Sequence, residues 1–176
     1  MIPRPHKTLI FISLIWLTIT NTHNLYALTE DRDQPIHITS KSFKHDGKTG
    51  KTIYSGDVHL TQGSIKLAAE HITMLSTPDG DLISIVAEGN PANFEQKPKV
   101  EKAKVIGNAK TITYSSKLNS ITLVGNAHIQ QGEQMRMTSE FIEYLADTDQ
   151  VKANTSSDIN NNASRVNIII PPNNKH

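Results

Sequence analysis

Between Ile36 and Ile170, apolar and polar residues alternate with a period of two, in runs too short and too regular for helices. Ile36 and Ile38 share a parity, as do Val58 and Leu60, Ile65 and Leu67, Ile83 and Ile85, Ile112 and Tyr114, Ile121 and Leu123, Ala127 and Ile129, Met135 and Met137, and Val166, Ile168 and Ile170. Successive side chains of a strand leave opposite faces, so each run becomes a strip with one apolar and one wet side. A helix would space its apolar residues by three and four, and no stretch after residue 28 sustains that spacing. The chain is therefore expected to be all-β, and half-wet strands of this kind pair antiparallel. Asp46-Gly47, Thr77-Pro78-Asp79-Gly80, Asn90-Pro91 and Pro98 read as turns or strand ends, because Gly supplies positive φ and Pro fixes a negative one. Asn154 to Ser164 reads as a polar loop, and Pro171-Pro172 closes the last strand.

A longer regularity overlies the alternation. Gly56, His59, Gln62 and Gly63 return 69 positions later as Gly125, His128, Gln131 and Gly132; Glu70 and Ile72 return 70 positions later as Glu140 and Ile142. Gly-Asn-Ala also occurs at both 107–109 and 125–127, with Gly89-Asn90 lying 18 positions before the first. Gly-Asp or Gly-Asn at matching places predicts one bulge or corner repeated from strand to strand. Repeated strand units bury their apolar faces by stacking, which gives a layered, elongated architecture with open sheet edges at its ends.

The N-terminus has another character. Arg4 and Lys7 precede the apolar run Thr8 to Thr20, and Leu25-Tyr26-Ala27 offers a cut after Ala27. Thirteen apolar-rich residues fall short of the roughly 20 that a spanning helix needs, so residues 1–27 read as a cleavable export signal. Without Arg4 and Lys7, 16 basic side chains of the original 18 face 17 acidic ones, a formal charge of −1. A basic, aromatic-rich face for nucleic acid is missing from this composition. No cysteine is present, so the exported chain folds on burial and hydrogen bonding alone and cannot bind zinc through thiolates.

The segments Asp31-Arg32-Asp33-Gln34-Pro35-Ile36-His37-Ile38, Tyr54 to Gly63, Gly89-Asn90-Pro91-Ala92-Asn93-Phe94, Val124 to Gln131 and Arg165 to Pro171 together resemble the OstA/LptA-type family, the periplasmic component of a lipopolysaccharide transport system. The resemblance covers nearly the whole chain after the leader. It implies an open, slightly twisted β-jellyroll of stacked antiparallel strands over residues 28–172, followed by a short polar tail, 173–176. It further implies a periplasmic carrier that holds the acyl chains of lipid A in an apolar groove and bridges the inner and outer membranes. The groove positions of the family match Ile36, Ile38, Phe94 and Tyr114; alternation alone adds Leu60, Leu67, Ile85, Leu123, Ile129 and Met137. Ser116 stands where a family member carries a larger apolar residue, and Arg32 where a small polar one is usual. The edge around Gln34, Ile36 and Ile38 is expected to meet an LptC-like inner-membrane protein. The edge formed by Arg165, Val166, Ile168 and Ile170 is expected to meet an LptD-like outer-membrane protein. Two exposed edges would also let copies join head to tail.

Catalytic patterns are sparse. His37, His59, His71 and His128 alternate with apolar residues and are expected on the wet face, while Glu70 and His71, as neighbours on a strand, point apart and make no general-base dyad. Neither Gly-x-Ser-x-Gly, His-Glu-x-x-His nor a phosphate loop occurs, and no metal, nucleotide or other cofactor is expected. Alternation by itself fits a dry core as well as a groove. Besides the carrier, three readings stand: another component of the same transport system, LptC-like or resembling a detached LptD N-terminal domain; a carbohydrate-active enzyme with paired carboxylates on a concave face; and a structural filament.

Overall fold

The computed structural model describes residues 31–97, 102–133, 135–145, 147–148, 150–155 and 165–172. The expected leader, its cleavage point and the tail lie outside the described residues. A 3-10 turn, Asp31–Asp33, precedes ten strands: β1 His37–Thr39, β2 Ser42–Asp46, β3 Lys51–Gln62, β4 Ile65–Ser76, β5 Leu82–Gln96, β6 Val105–Ser115, β7 Ser120–Gln131, β8 Met135–Leu145, β9 Gln150–Asn154 and β10 Asn167–Ile169. They form one antiparallel sheet in the order β1-β3-β4-β5-β6-β7-β8-β10, with β2 also on β3 and β9 also on β8. The seven steps from β1 to β10 make a stack about 34 Å long at the usual strand spacing.

Each pairing from β3 to β8 slips near its middle: at Ser55/Val58, Ala68/His71, Glu88/Ala92, Asn108/Thr111 and Val124/Ala127. These slips line up and crease the sheet into two leaves that face each other as an open jellyroll. The first leaf holds β1, residues 58–69 of β3 and β4, the second half of β5, the first half of β6, the meeting ends of β7 and β8, and β10; the second holds β2, the remaining halves and β9.

The repeat builds the crease. Gly56 and Asp57 take φ of 82° and 50°, and their counterparts Gly125 and Asn126 take 84° and 51°. Two successive left-handed residues turn the strand without ending it, and glycine is the residue that reaches the first of them at least cost. A Cβ on Gly56 would meet Lys41 at 2.9 Å, and one on Gly125 would meet Lys110 at 3.0 Å. Lys41 and Lys110 are themselves 69 positions apart, so the repeat reaches back into β1 and β2, which together match the unbroken β6.

Two expectations need correction here. Asn90-Pro91 is no turn between strands: β5 runs through it, and it sits in the unpaired part of the crease, where a residue without an N–H breaks no ladder bond. Gly107-Asn108 is no crease either. Both residues pair regularly with β5 and β7, and the crease in β6 comes later, around Lys110. Asp46-Gly47 and Thr77 to Gly80 do lie in the connections between strands.

Candidate apolar groove

On the first leaf, the paired residues Ile38, Leu60, Leu67, Phe94, Gly107, Ile129, Met137 and Ile168 make one inward row from edge to edge. Six of the ten expected groove residues therefore share a row. Across from it, Met74, Ile85, Tyr114, Ile121 and Tyr144 form a row of the second leaf, and Leu123 lies in the neighbouring row between Ile112 and Ile142. Ile36 precedes β1 and packs half-buried against the same core. All ten point inward; Val58, which shares the parity of Leu60, lies in the same interior, and Ile72, Val105 and Ile142, each at most 1% exposed, are members of it that the alternation did not single out.

The leaves are closed on each other. Leu60, Ile65, Leu67 and Phe94 of the first and Ile85, Ile112, Tyr114 and Ile121 of the second border a cleft with about 10 Å³ of free space, room for about one water. The interior is a packed apolar core in this state. Burial at about 25 cal/mol per Å² holds the leaves together.

The rim of the first leaf carries an unexpected polar row. Gln62 pairs with Ile65, Gln96 with Val105, Val105 with Gln131, and Gln131 with Met135, so inward glutamines alternate with apolar residues. Gln62 and Gln96 are buried. The 3-10 turn closes over this rim. The Asp31 carboxylate accepts from Ser64 N at 2.6 Å, Ser64 Oγ at 2.8 Å and Gln96 Nε2 at 3.0 Å. Gln62 Nε2 donates to Gln34 O at 3.1 Å. Gln34, expected on the strand edge, is therefore part of this latch and lies outside β1. At the second leaf's rim, Ser116 Oγ donates to Leu82 O at 2.6 Å, a polar closure in place of an apolar side chain.

The two ends of the stack are β1 with β2 and β9 with β10. Of the expected edge residues, Ile38 lies in β1 and Ile168 in β10, while Ile36, Arg165, Val166 and Ile170 flank these strands. Val166, Ile168, Ile169 and Ile170 are all exposed.

The wet face of the first leaf holds two shallow troughs of about 260 and 370 Å³ that meet at Ile106; His59 lies in one and His128 in the other. Glu95 is the single carboxylate lining them among the described residues, and it is engaged by Lys104 at 2.8 Å and Lys66 at 3.7 Å. The Lys104 hydrogen bond, with the charge of both lysines, holds the Glu95 carboxyl below the usual range. The paired carboxylates that a glycosidase reading requires do not meet in either trough. His59 contacts Asp57 at 3.1 Å, and His71 shares a hydrogen bond of 3.1 Å with Ser55; Glu70 and His71 both stand exposed at the crease.

Residues 37–164 match the family model described as LptA/(LptD N-terminal domain) LPS transport protein. The lipopolysaccharide export system protein LptH of Pseudomonas aeruginosa is 34% identical over 151 residues, 85% of this chain and 86% of the relative. LptA of Escherichia coli K12 is 32% identical over 73% of this chain and 69% of its own length, and LptA of Haemophilus influenzae 29% identical over 84% and 83%. The crystal structure of P. aeruginosa LptH, the LptA-homologous periplasmic component of a conserved lipopolysaccharide transport device, superposes with a TM-score of 0.73 at 32% identity, covering 82% of this chain and all of that one.

Proposed function

The chain belongs to the LptA/(LptD N-terminal domain) family of LPS transport proteins, and from that premise we propose how its leaves and edges serve the task. It is a periplasmic lipopolysaccharide export component. The proposal is that lipid A acyl chains enter between the leaves and lie along Ile38, Leu60, Leu67, Phe94, Ile129 and Met137, against Ile85, Tyr114 and Leu123. The observation that supports this is the inward row without a charged residue from β1 to β10, which offers acyl chains the same surface along the whole stack. Each methylene taken out of water contributes about 0.8 kcal/mol. Because the cleft bordered by Leu67, Phe94, Ile85 and Tyr114 has only about 10 Å³ of free space, entry there requires the leaves to part, and burial of the ligand must offset the apolar packing between leaves that opening disrupts.

Such a carrier needs no covalent step, so it acts as a non-enzymatic bridge driven by energy supplied elsewhere. Its β1 edge joins an LptC-like inner-membrane partner and its β10 edge an LptD-like outer-membrane partner. The same edges pair copy to copy, since both leave backbone groups open to strand addition. A photo-crosslinking residue at Ile36 or Phe94 is expected to capture lipopolysaccharide in cells, and one at the outward Lys66 is not. Adducts at Lys66 alone would refute the groove.

A further inference from the structure

The inward glutamine row at the rim of the first leaf is a poor choice for a core that only packs. A buried primary amide loses water on both its oxygen and its nitrogen, and recovers that loss only where both find partners. Gln96 finds one. Its Nε2 donates to Asp31 Oδ2 at 3.0 Å, and this bond fixes which way the amide faces, since an oxygen cannot face a carboxylate favourably. Gln96 Oε1 is thereby committed to the other side, where it is fully buried and has no hydrogen-bond partner. Gln96 is 9% exposed and lies two residues from Phe94 on the same face of β5, in the rim row that runs beside the apolar one. Gln62 and Gln131, equivalent in the repeat, flank it two strands away on either side, at about 10 Å, with Ile65 and Val105 between.

Resting on the groove reading above, we infer that this row is a polar subsite for hydroxylated acyl chains. A chain lying along Leu67 and Phe94 places its first few carbons at the rim. A hydroxyl there donates to Gln96 Oε1 and supplies the missing partner, whereas an unsubstituted chain leaves the acceptor orphaned. The hydroxyacyl chains of lipopolysaccharide carry such a donor close to the carbonyl.

The test is competition on the full chain, with cis-parinaric acid as the fluorescent occupant and myristate or 3-hydroxymyristate as competitors. The wild type is expected to release the probe at a 3-hydroxymyristate concentration about three- to tenfold lower than for myristate, the range one hydrogen bond supplies. Gln96→Met, which keeps the volume and removes the acceptor together with the Nε2 donor to Asp31, is expected to lose that preference. Equal competition by the two acids on the wild type, or a preference surviving in Gln96→Met, would overturn the subsite and leave the groove standing. Failure of either acid to displace the probe, or of the probe to bind, would overturn the groove itself and the subsite with it. If Gln96→Met fails to fold, the wild-type comparison still decides.

Discussion

Leu123 Cδ2 lies 2.8 Å from the point where Gly107 would carry a Cβ, so the two leaves touch at the one position of the inward row that has no side chain. Phe94 Cδ1 is 3.7 Å from the same point. The glycine is there for space, since its backbone is ordinary strand and pairs on both sides. Gly107→Ala needs only a small movement of a flexible leucine end. Gly107→Val adds bulk that Leu123 cannot clear, with His128 O already 3.3 Å away. We expect the valine variant to lose about 1–3 kcal/mol in equilibrium denaturation, as overpacked cores do. It should also bind a hydrophobic dye more strongly than the alanine variant, because it wedges the leaves apart.

If the leaves must part for acyl chains, tying them together should stop uptake. Ile65 and Tyr114 border the cleft from opposite leaves, and the chain has no cysteine of its own to interfere. A double variant, Ile65→Cys with Tyr114→Cys, treated with a short bifunctional thiol reagent, is expected to lose lipopolysaccharide binding and to regain it when a cleavable reagent is cut. Undiminished binding in the cross-linked form, measured with labelled lipopolysaccharide, would show that chains lie elsewhere.

Asp31 holds the 3-10 turn against the rim through Ser64 and Gln96. Asp31→Ala removes the acceptor and leaves Ser64 N and Gln96 Nε2 unpaired in a half-buried place, while Ser64 Oγ keeps Lys97 O, at a cost of about 1–3 kcal/mol. The loss should be local. Hydrogen exchange is expected to quicken in β1 and in the turn between Gln62 and Ile65, and to stay unchanged in β7.

Glu95 has a folded-state pKa lowered first by the Lys104 hydrogen bond and further by the charge of Lys104 and Lys66. A carboxyl lowered in this way favours the folded state fully above its unfolded pKa, and that contribution drains away as pH falls through the folded value. Glu95→Gln should therefore make melting temperature less sensitive to pH on the acid side of the carboxylate range and leave its shape near neutrality alone. Added salt should shrink the difference, since the group is partly exposed.

How much of this was legible in the sequence follows from what each feature depends on. The inward row was legible because Ile38, Leu60, Leu67, Ile129 and Met137 obey a local period, and a strand's faces follow from that period alone; Phe94, just past Asn90-Pro91, belongs to none of the alternating pairs and came from the family resemblance. The crease was legible at Gly56-Asp57 and Gly125-Asn126 because the repeat carries the same two residue types to the same backbone strain. Gly107-Asn108 misled, since the same dipeptide there answers to Leu123, sixteen residues away in sequence and on the other leaf. Asn90-Pro91 misled because proline usually ends a strand, and the crease is the one interior place where its missing N–H goes unnoticed. The glutamine rim was hidden by its polarity, which breaks the alternation; the signal available was the recurrence of Gln62 as Gln131. Gln34 left the edge for the latch through a bond to Gln62 that no local pattern announces.

The split end strands give the stack a direction. At one end, β1 and β2 lie on different leaves and are joined across the crease by Ser40 and Lys41 alone, a span of about 7 Å at full extension. At the other, β9 and β10 also lie on different leaves, but residues 155–166 connect them, a tether of about 40 Å at full reach. The last layer is thus free of the short strap that fixes the first. If the leaves part to admit a chain, the first layer can open only as far as its two-residue strap allows, whereas no such short link ties β10 to β9, so the last layer is the one expected to open wider.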